Sequence, residues 1–370
     1  MIYADNAATT QLDRDAFEAM VPFLMENYGN ASQPYSFSRK SKLALRTARE
    51  TIAKCIGADP EEIYFTSCGT ESDNWAIKMG SDLTEQIVTS VIEHHAILNS
   101  CKTIQNAGKK VKYLPVDRRG EVSPNDLDGM LDGSRPLVSV MFANNEIGTI
   151  EPVKELAEVT HNKGGIFHTD AVQAVGHVPI DVHELGVDML SASGHKFNAP
   201  KGIGFLYIKK GLELRPFIDG GAQEKGRRAG TENIASIVAM ACALEKNCAQ
   251  IDENEKHLKN LENIVITILR SAGLDFIRNG SDYRIPGNIS LSFADAEGEM
   301  LLHRLDLKKI CISTGSACDS VNTQISHVID AIGVPDKYAE GTIRISLGKN
   351  NTESEAESIA NALIDVLKNR

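Results

Sequence analysis

Between residues 62 and 208 short apolar runs alternate with stretches of helical periodicity. The runs are "EIYFTS", "QIVTSV", "KVKYLP", "LVSVMFA", "GIFHTD", "DMLSAS" and "IGFLYI", and helical patterns at 71–79, 95–107 and 153–163 separate several of them. Most of the runs are continuous rather than alternating apolar with polar. Strands covered on both faces read this way, so the pattern predicts a largely parallel α/β sheet. "IGFLYI" follows "DMLSAS" closely and is a candidate antiparallel member. From about residue 231 the pattern turns helical, with two helices expected between 231 and 271. A new set then begins: "NISLSF", a helix near 298–307, "KICIS", a helix near 323–332, "TIRISL" and a final helix from about 352. The expected division is a large domain over 14–250 and a small one built from 1–13 and 251–370.

At 370 residues the chain has ample length to bury two cores. Its 39 Lys and Arg against 50 Asp and Glu leave a net charge of -11, and no basic cluster stands out. A nucleic-acid surface needs a basic stripe to neutralise phosphates, so that class of partner is disfavoured. "MIYADNAATT" lacks a basic and then apolar leader, and no apolar run approaches the length of a membrane span. The expectation is a cytoplasmic protein without a membrane partner. Seven cysteines, at 55, 68, 101, 242, 248, 311 and 318, form no Cys-x-x-Cys pair. That spacing argues against both a disulfide framework and a zinc ribbon, and no metal is expected.

In open parallel sheets ligands sit beyond the carboxyl ends of the strands. Here five strand ends deliver polar groups: "CGTESDN" at 68–74, "EHH" at 93–95, "NNEIG" at 144–148, "HTDAVQ" at 168–173 and "SASGHK" at 191–196. Gly69 permits close backbone approach, and amides near Thr70 would lie at a helix N-terminus that favours a phosphate. The same residues also read as a Thr N-cap with Asp73 closing a capping box. Asp170 and Gln173 read as helix-capping groups or as ligand contacts, and Lys196 as a snorkelling surface lysine or as a lysine aimed at the ligand. Taken together, a phosphate cradle, a strand-end carboxylate and a lysine are the parts that hold pyridoxal phosphate, with His94 available against the ring face.

A family resemblance completes the picture. "DNAATT", "CGTESDN", "EHHAIL", "NNEIGT", "HTDAVQAVG", "SGHKFNAPKGIG", "RRAGTEN", "STGSAC" and "IRISLG", in this order from residue 3 to about 350, closely resemble the pyridoxal-phosphate-dependent cysteine desulfurases of the class V aminotransferase superfamily. The resemblance implies an α/β fold, the pyridoxal-phosphate-dependent transferase fold type I, with a mostly parallel central sheet and a smaller α/β domain. It implies conversion of L-cysteine to L-alanine, with sulfur left as a persulfide on the enzyme for an acceptor protein in iron–sulfur cluster assembly or thiolation. A selenocysteine lyase, or another β-elimination lyase with the same cofactor, is the alternative.

Residue by residue, the resemblance makes Lys196 the Schiff-base lysine and matches Asp170 to the pyridine nitrogen, Gln173 to the phenolic oxygen and His94 to the stacking residue, with Lys196 or His94 as the catalytic shuttle of the α-proton. Gly69, Thr70, Ser193 and His195 fall on phosphate-binding positions, and Asn145 on the cofactor and substrate side. Thr231 matches a residue that reaches the phosphate of a neighbouring subunit, which implies a homodimer. Arg344 matches the partner of the substrate carboxylate, a task suited to its bidentate fork, and Asn6 belongs to a segment closing over the site. Cys318, in "STGSACDS", is matched to the sulfur-accepting nucleophile of the scaffold-serving branch. Two departures stand out. "GNASQPYSFSRK" places Tyr35 and Ser38 where many relatives carry His and Gly, and the chain closes at Arg370 without the extended tail by which scaffold-serving members dock an acceptor.

Overall fold

The computed structural model describes residues 1–314 and 325–368. The chain opens with a two-residue strand, β1 (Ile2–Tyr3), whose parallel partner arrives only at Ile310. The large unit is built on a seven-stranded sheet: β2 (Ile63–Thr66), β3 (Gln86–Ser90), β4 (Lys110–Leu114), β5 (Pro136–Ser139), β6 (Ile166–Asp170), β7 (Met189–Ser193) and β8 (Gly204–Ile208). Their spatial order is β2-β8-β7-β6-β5-β3-β4. Neighbours from β4 through to β7 pair in parallel, while β8 runs antiparallel to both β7 and β2.

The continuous apolar runs have a direct structural cause. Side chains alternate between the two faces of a strand. Phe65, Val88, Val138, Phe167, Leu190 and Phe205 enter one core, and their neighbours Tyr64, Ile87, Leu137, Ile166, Met189 and Leu206 enter another on the opposite face. With helices on both sides, apolar residues dominate both faces, and the buried polar ones, such as His168 and Ser191, pair with each other. The helices Gly69–Gly80, His95–Asn106 and Val153–Asn162 follow β2, β3 and β5, so their N-termini gather at the carboxyl edge of the sheet.

Two helices, Ile234–Ala249 and Ile251–Ser271, meet at Gln250 with a bend of 71°. Ile237, Met240 and Leu244 of the first belong to the large core, whereas Leu258, Leu261 and Val265 of the second belong to a separate one. That second core lies under an antiparallel sheet of β9 (Phe276–Arg278), β10 (Asn288–Phe293) and β12 (Thr342–Ser346), in the order β12-β10-β9. The short β11 (Ile310–Cys311) pairs with β1, and the closing helix Glu353–Lys368 packs on Ile251–Ser271. Residues 327–339 cross the division. Val328, Ile329 and Ile332 pack on Ile92, Met141 and Ile147, which stand beside the ends of β3 and β5. Among the described residues no single helix is long and apolar enough to cross a membrane; the bent pair passes by length and composition only together.

Candidate active site

The helix after β2 begins at Gly69, with Cys68 as its extended N-cap and no side-chain bond from that cap. Thr70 therefore lies inside the first turn, and the alternative of a Thr N-cap with a capping box does not hold. The first-turn amides of a helix have no intrahelical acceptor and sit at its positive end. Gly69 is required there by space rather than by backbone angle: a Cβ would stand 2.6 Å from Val172 Cγ2 and 3.3 Å from Ser193 Cβ. Ser193 Oγ is buried and without a partner among the described residues. A cradle of amides and one unmatched hydroxyl suits an oxyanion.

Asp170, 5% exposed, ends β6, and its carboxylate accepts the Val172 amide at 2.9 Å. Burial pushes its pKa up to about 6, against the opposing pull of that amide and of the Lys196 charge. Behind it, His168 lies between the hydroxyls of Ser139 and Ser191, each at 2.9 Å, and burial drives its pKa down to about 3, so it is neutral. Asp73 is turned inward rather than to its own helix end, 3.9 Å from His168 Nε2 and hydrogen-bonded to Ser191. Burial and the nearby Asp170 hold its carboxyl well above the ordinary range.

Lys196 follows β7 in a single turn, Gly194–Lys196, and its Nζ donates to the carbonyls of Ala7 at 2.6 Å and Ala8 at 2.9 Å. Gln173 Nε2 also donates to Ala7, at 3.0 Å, so the N-terminal segment straps across the sheet edge. His94 caps His95–Asn106 by accepting the Ala96 amide on Nδ1 at 3.1 Å. Burial, with the Lys196 charge adding to it, lowers its pKa to about 4. From the small unit, β12 delivers Arg344, 2% exposed, whose Nη2 pairs with Asp5 at 2.7 Å and whose Nη1 donates to the Asn145 carbonyl at 3.0 Å. Its Nε is buried without a partner among the described residues.

One cavity of about 300 Å³ collects these groups: Gly69, Thr70, His94, Asn145, Asp170, Gln173, Ser193, His195, Lys196 and Arg344 all line it. Asn6 does not. Its side chain donates to the Ser346 carbonyl at 2.9 Å, and it lines the adjoining cleft between the two units. Thr231 is exposed on the loop before Ile234–Ala249, away from the cavity of its own chain. Cys318 lies outside the described residues. Tyr35 is exposed and off the cavity, and the Ser38 hydroxyl is spent on the carbonyls of Gln33 and Tyr35, at 2.7 and 2.8 Å. Five titratable residues line the cavity without having been singled out: Cys68, Glu93, His95, Glu146 and His327. The first four stand in the quoted strand-end motifs, where their position was the available signal; for His327 nothing local gave one.

The class-V aminotransferase family model matches residues 2–359. The chain belongs to that family. Class-V members depend on pyridoxal phosphate, and the cavity fits it: an amide cradle that a single added Cβ would fill, an orphaned hydroxyl beside it, a buried carboxylate and a lysine amine. Among similar class-V proteins is the cysteine desulfurase IscS of Methanosarcina thermophila, 45% identical over 99% of this chain and 92% of its own length. The protein of the same name from Dictyoglomus turgidum is 47% identical over 99% and 93%. Of solved structures, a NifS-like protein matches with TM-score 0.94 and 39% identity, covering 100% of both chains. SspA in complex with cysteine matches with TM-score 0.84 and 33% identity over 95% of this chain and 100% of that one.

Proposed function

We propose that this chain is a cysteine desulfurase, converting L-cysteine to L-alanine and passing sulfur through an enzyme persulfide to an acceptor protein. The observation that carries the reading is the meeting of Lys196, Asp170 and Arg344 on one cavity, in a chain whose full-length relatives bear that name. Bound there, pyridoxal phosphate supplies an electron sink for bonds at the α and β carbons of an amino acid. The chain's own residues do the rest. Gly69 and Thr70 amides, with Ser193 and His195, would take the phosphate. Asp170 would set its charge against the pyridine nitrogen, while burial and the nearby Asp170 disfavour a second charge on the Asp73 carboxyl. Gln173 keeps a second amide hydrogen that would serve the phenolic oxygen, and His94 would stack against the ring.

Lys196 Nζ would hold the cofactor, and Lys196 or His94 would shuttle the α-proton. Arg344 is fixed on two sides by Asp5 and Asn145, which leaves its Nε edge for the substrate carboxylate. Sulfur removal is assigned to Cys318, and Thr231 to the phosphate site of a second copy in a cytoplasmic homodimer; its exposure on the loop supports that assignment. The test is product analysis of cofactor-loaded protein given cysteine and a thiol reductant. Alanine and sulfide in equal amounts are expected. Pyruvate and ammonia in place of alanine would replace this reading with a β-elimination lyase.

A further inference from the structure

Six of the seven cysteines lie among the described residues, and none of the six is in a disulfide. Four stand in separate settings. Cys101 is wholly buried, and burial pushes its thiol up to about 12, so it behaves as a small apolar side chain. Burial also raises Cys242, with Asp13 and Asp15 adding to the effect. Cys68 caps the helix after β2 on the cavity wall, and Cys311 lies in β11.

The remaining two meet. Cys55 is the last residue of the helix Arg39–Cys55, and Cys248 stands one residue before the end of Ile234–Ala249, which packs against that helix. The Cys248 sulfur lies 3.9 Å from the Cys55 carbonyl oxygen, and the two thiols hydrogen-bond to each other. Both side chains rest on the edge of the large core and are half-buried, so a small solute can reach them. The contact also separates their reactivity. The hydrogen bond from Cys55 holds the Cys248 thiol below its ordinary value against the effect of burial, while the same bond and then burial push Cys55 up. Cys248 is therefore the better nucleophile and Cys55 the donor. Among the described residues no third His, Cys, Asp or Glu joins them in a set fit to hold a metal, so the pair is left with the chemistry of sulfur alone.

We infer that Cys55 and Cys248 form a redox-active thiol pair that a peroxide converts into a disulfide within the large unit. The inference does not rest on the desulfurase reading. In the first step the Cys248 thiolate attacks one oxygen of hydrogen peroxide; the O–O bond breaks, a sulfenic acid forms, and the departing hydroxide takes up the thiol proton as water. The Cys55 sulfur then attacks that of Cys248. Its S–H bond and the Cys248 S–O bond break, the S–S bond forms, and a second water leaves. Each sulfur is oxidised by one electron, and the peroxide takes both. The sulfurs must close to about 2 Å, and both residues stand at helix ends, where the backbone adjusts most readily. The link would tie together residues 193 apart in the chain, and a cross-link over so long a loop stabilises by restricting the unfolded state.

The test is peptide mapping of reduced, cofactor-loaded protein after treatment with hydrogen peroxide and blocking of the remaining thiols. A peptide joining Cys55 to Cys248 is expected, lost again on adding a thiol reductant. The thermal midpoint should rise by about 4 °C or more on oxidation and fall back on reduction. Cys55→Ser should leave the sulfenic acid stranded on Cys248, where dimedone traps it, whereas Cys248→Ser should leave Cys55 unmodified. Linkage of other cysteines instead, a midpoint that is unchanged or lowered, or first oxidation at Cys55 would each overturn the assignment. The linkage and the midpoint are read on the wild-type chain, so neither depends on a variant folding. Loss of alanine formation, in contrast, would bear on the desulfurase reading and not on this pair.

Discussion

Asp170 carries its charge where burial opposes it, and that tension defines its role. Asp170→Asn should still load cofactor, because the phosphate cradle and Lys196 are intact, but alanine formation should drop by about 100-fold or more for want of a charge opposite the ring nitrogen; unchanged turnover would remove Asp170 from the chemistry. Gly69→Ala tests the cradle. Its new methyl would meet Val172 Cγ2 at 2.6 Å, so cofactor affinity, followed by absorbance titration, should weaken at least about 10-fold, with roughly 1–3 kcal/mol of overpacking cost in the unloaded protein. At this scale the sequence was a good guide wherever a side chain is delivered by a strand end. It was a poor one for Asp73, because a helix-start carboxylate looks the same whether it caps its own helix or turns in toward a buried neighbour. His327 was hidden for another reason: it reaches the cavity through tertiary packing of Val328, Ile329 and Ile332, which no local pattern records.

Among the elements, the turn Gln223–Gly226 shows what holds the Thr231 loop in place. Glu224 and Lys225 sit at positive φ, 45° and 60°, where non-glycine residues are uncommon. The conformation is held by Glu224, whose two oxygens receive Arg49 at 2.7 and 2.8 Å and whose Oε2 also takes the Phe65 amide at 3.0 Å. Arg49 in turn lies 4.5 Å over the Phe65 ring. Removing one partner of a buried pair leaves the other charge uncompensated, so Glu224→Ala should cost about 3–5 kcal/mol in denaturant unfolding. The double variant with Arg49→Ala should cost less than the sum of the two. Ordinary local stability of about 1 kcal/mol would show that the turn stands without the pair. The element boundaries themselves were legible because apolar continuity marks strands and periodicity marks helices; helices expected at 71–79 and 95–107 are found at Gly69–Gly80 and His95–Asn106. Direction was legible as well: continuous apolar runs pointed to the parallel pairs from β4 to β7, and the short link after β7 to an antiparallel β8. The order in which the strands lie was not, since pairing partners are chosen by the whole sheet.

For the molecule as a whole, the crowd of buried ionisable groups gives stability a definite pH dependence. Burial raises Glu93 to about 8 and Asp170 to about 6, and lowers His94 and His195 to about 4 and His168 to about 3. Between about pH 4.5 and 6.5 the two effects oppose: the native carboxyls keep protons that the unfolded chain has lost, while the native histidines lack protons that the unfolded chain still binds. Above about 6.5 the unfolded histidines are neutral as well, and the native Glu93 proton remains. The native state then binds more protons, so stability falls as pH rises toward 8. Glu93→Gln should reduce that decline by up to about 2 kcal/mol between pH 6.5 and 8, measured by denaturant unfolding of cofactor-free protein; a slope unaffected by the substitution would mean that Glu93 is ionised in the fold. The strap that meets Lys196 has a consequence of a different kind. Its anchorage is at the far end of the chain, where the Asn6 amide donates to the Ser346 carbonyl and Ala4 to that of Cys311. A ribosome makes the strap first and its anchor last. A nascent chain that has emerged as far as β8 already holds Lys196, Gln173 and all seven strands of the large sheet, yet Ala4 and Asn6, which flank the contacts of Ala7 and Ala8, still lack the strands that moor them. Release of the last strand, rather than folding of the sheet, therefore sets the moment at which a newly made molecule can enclose its cofactor.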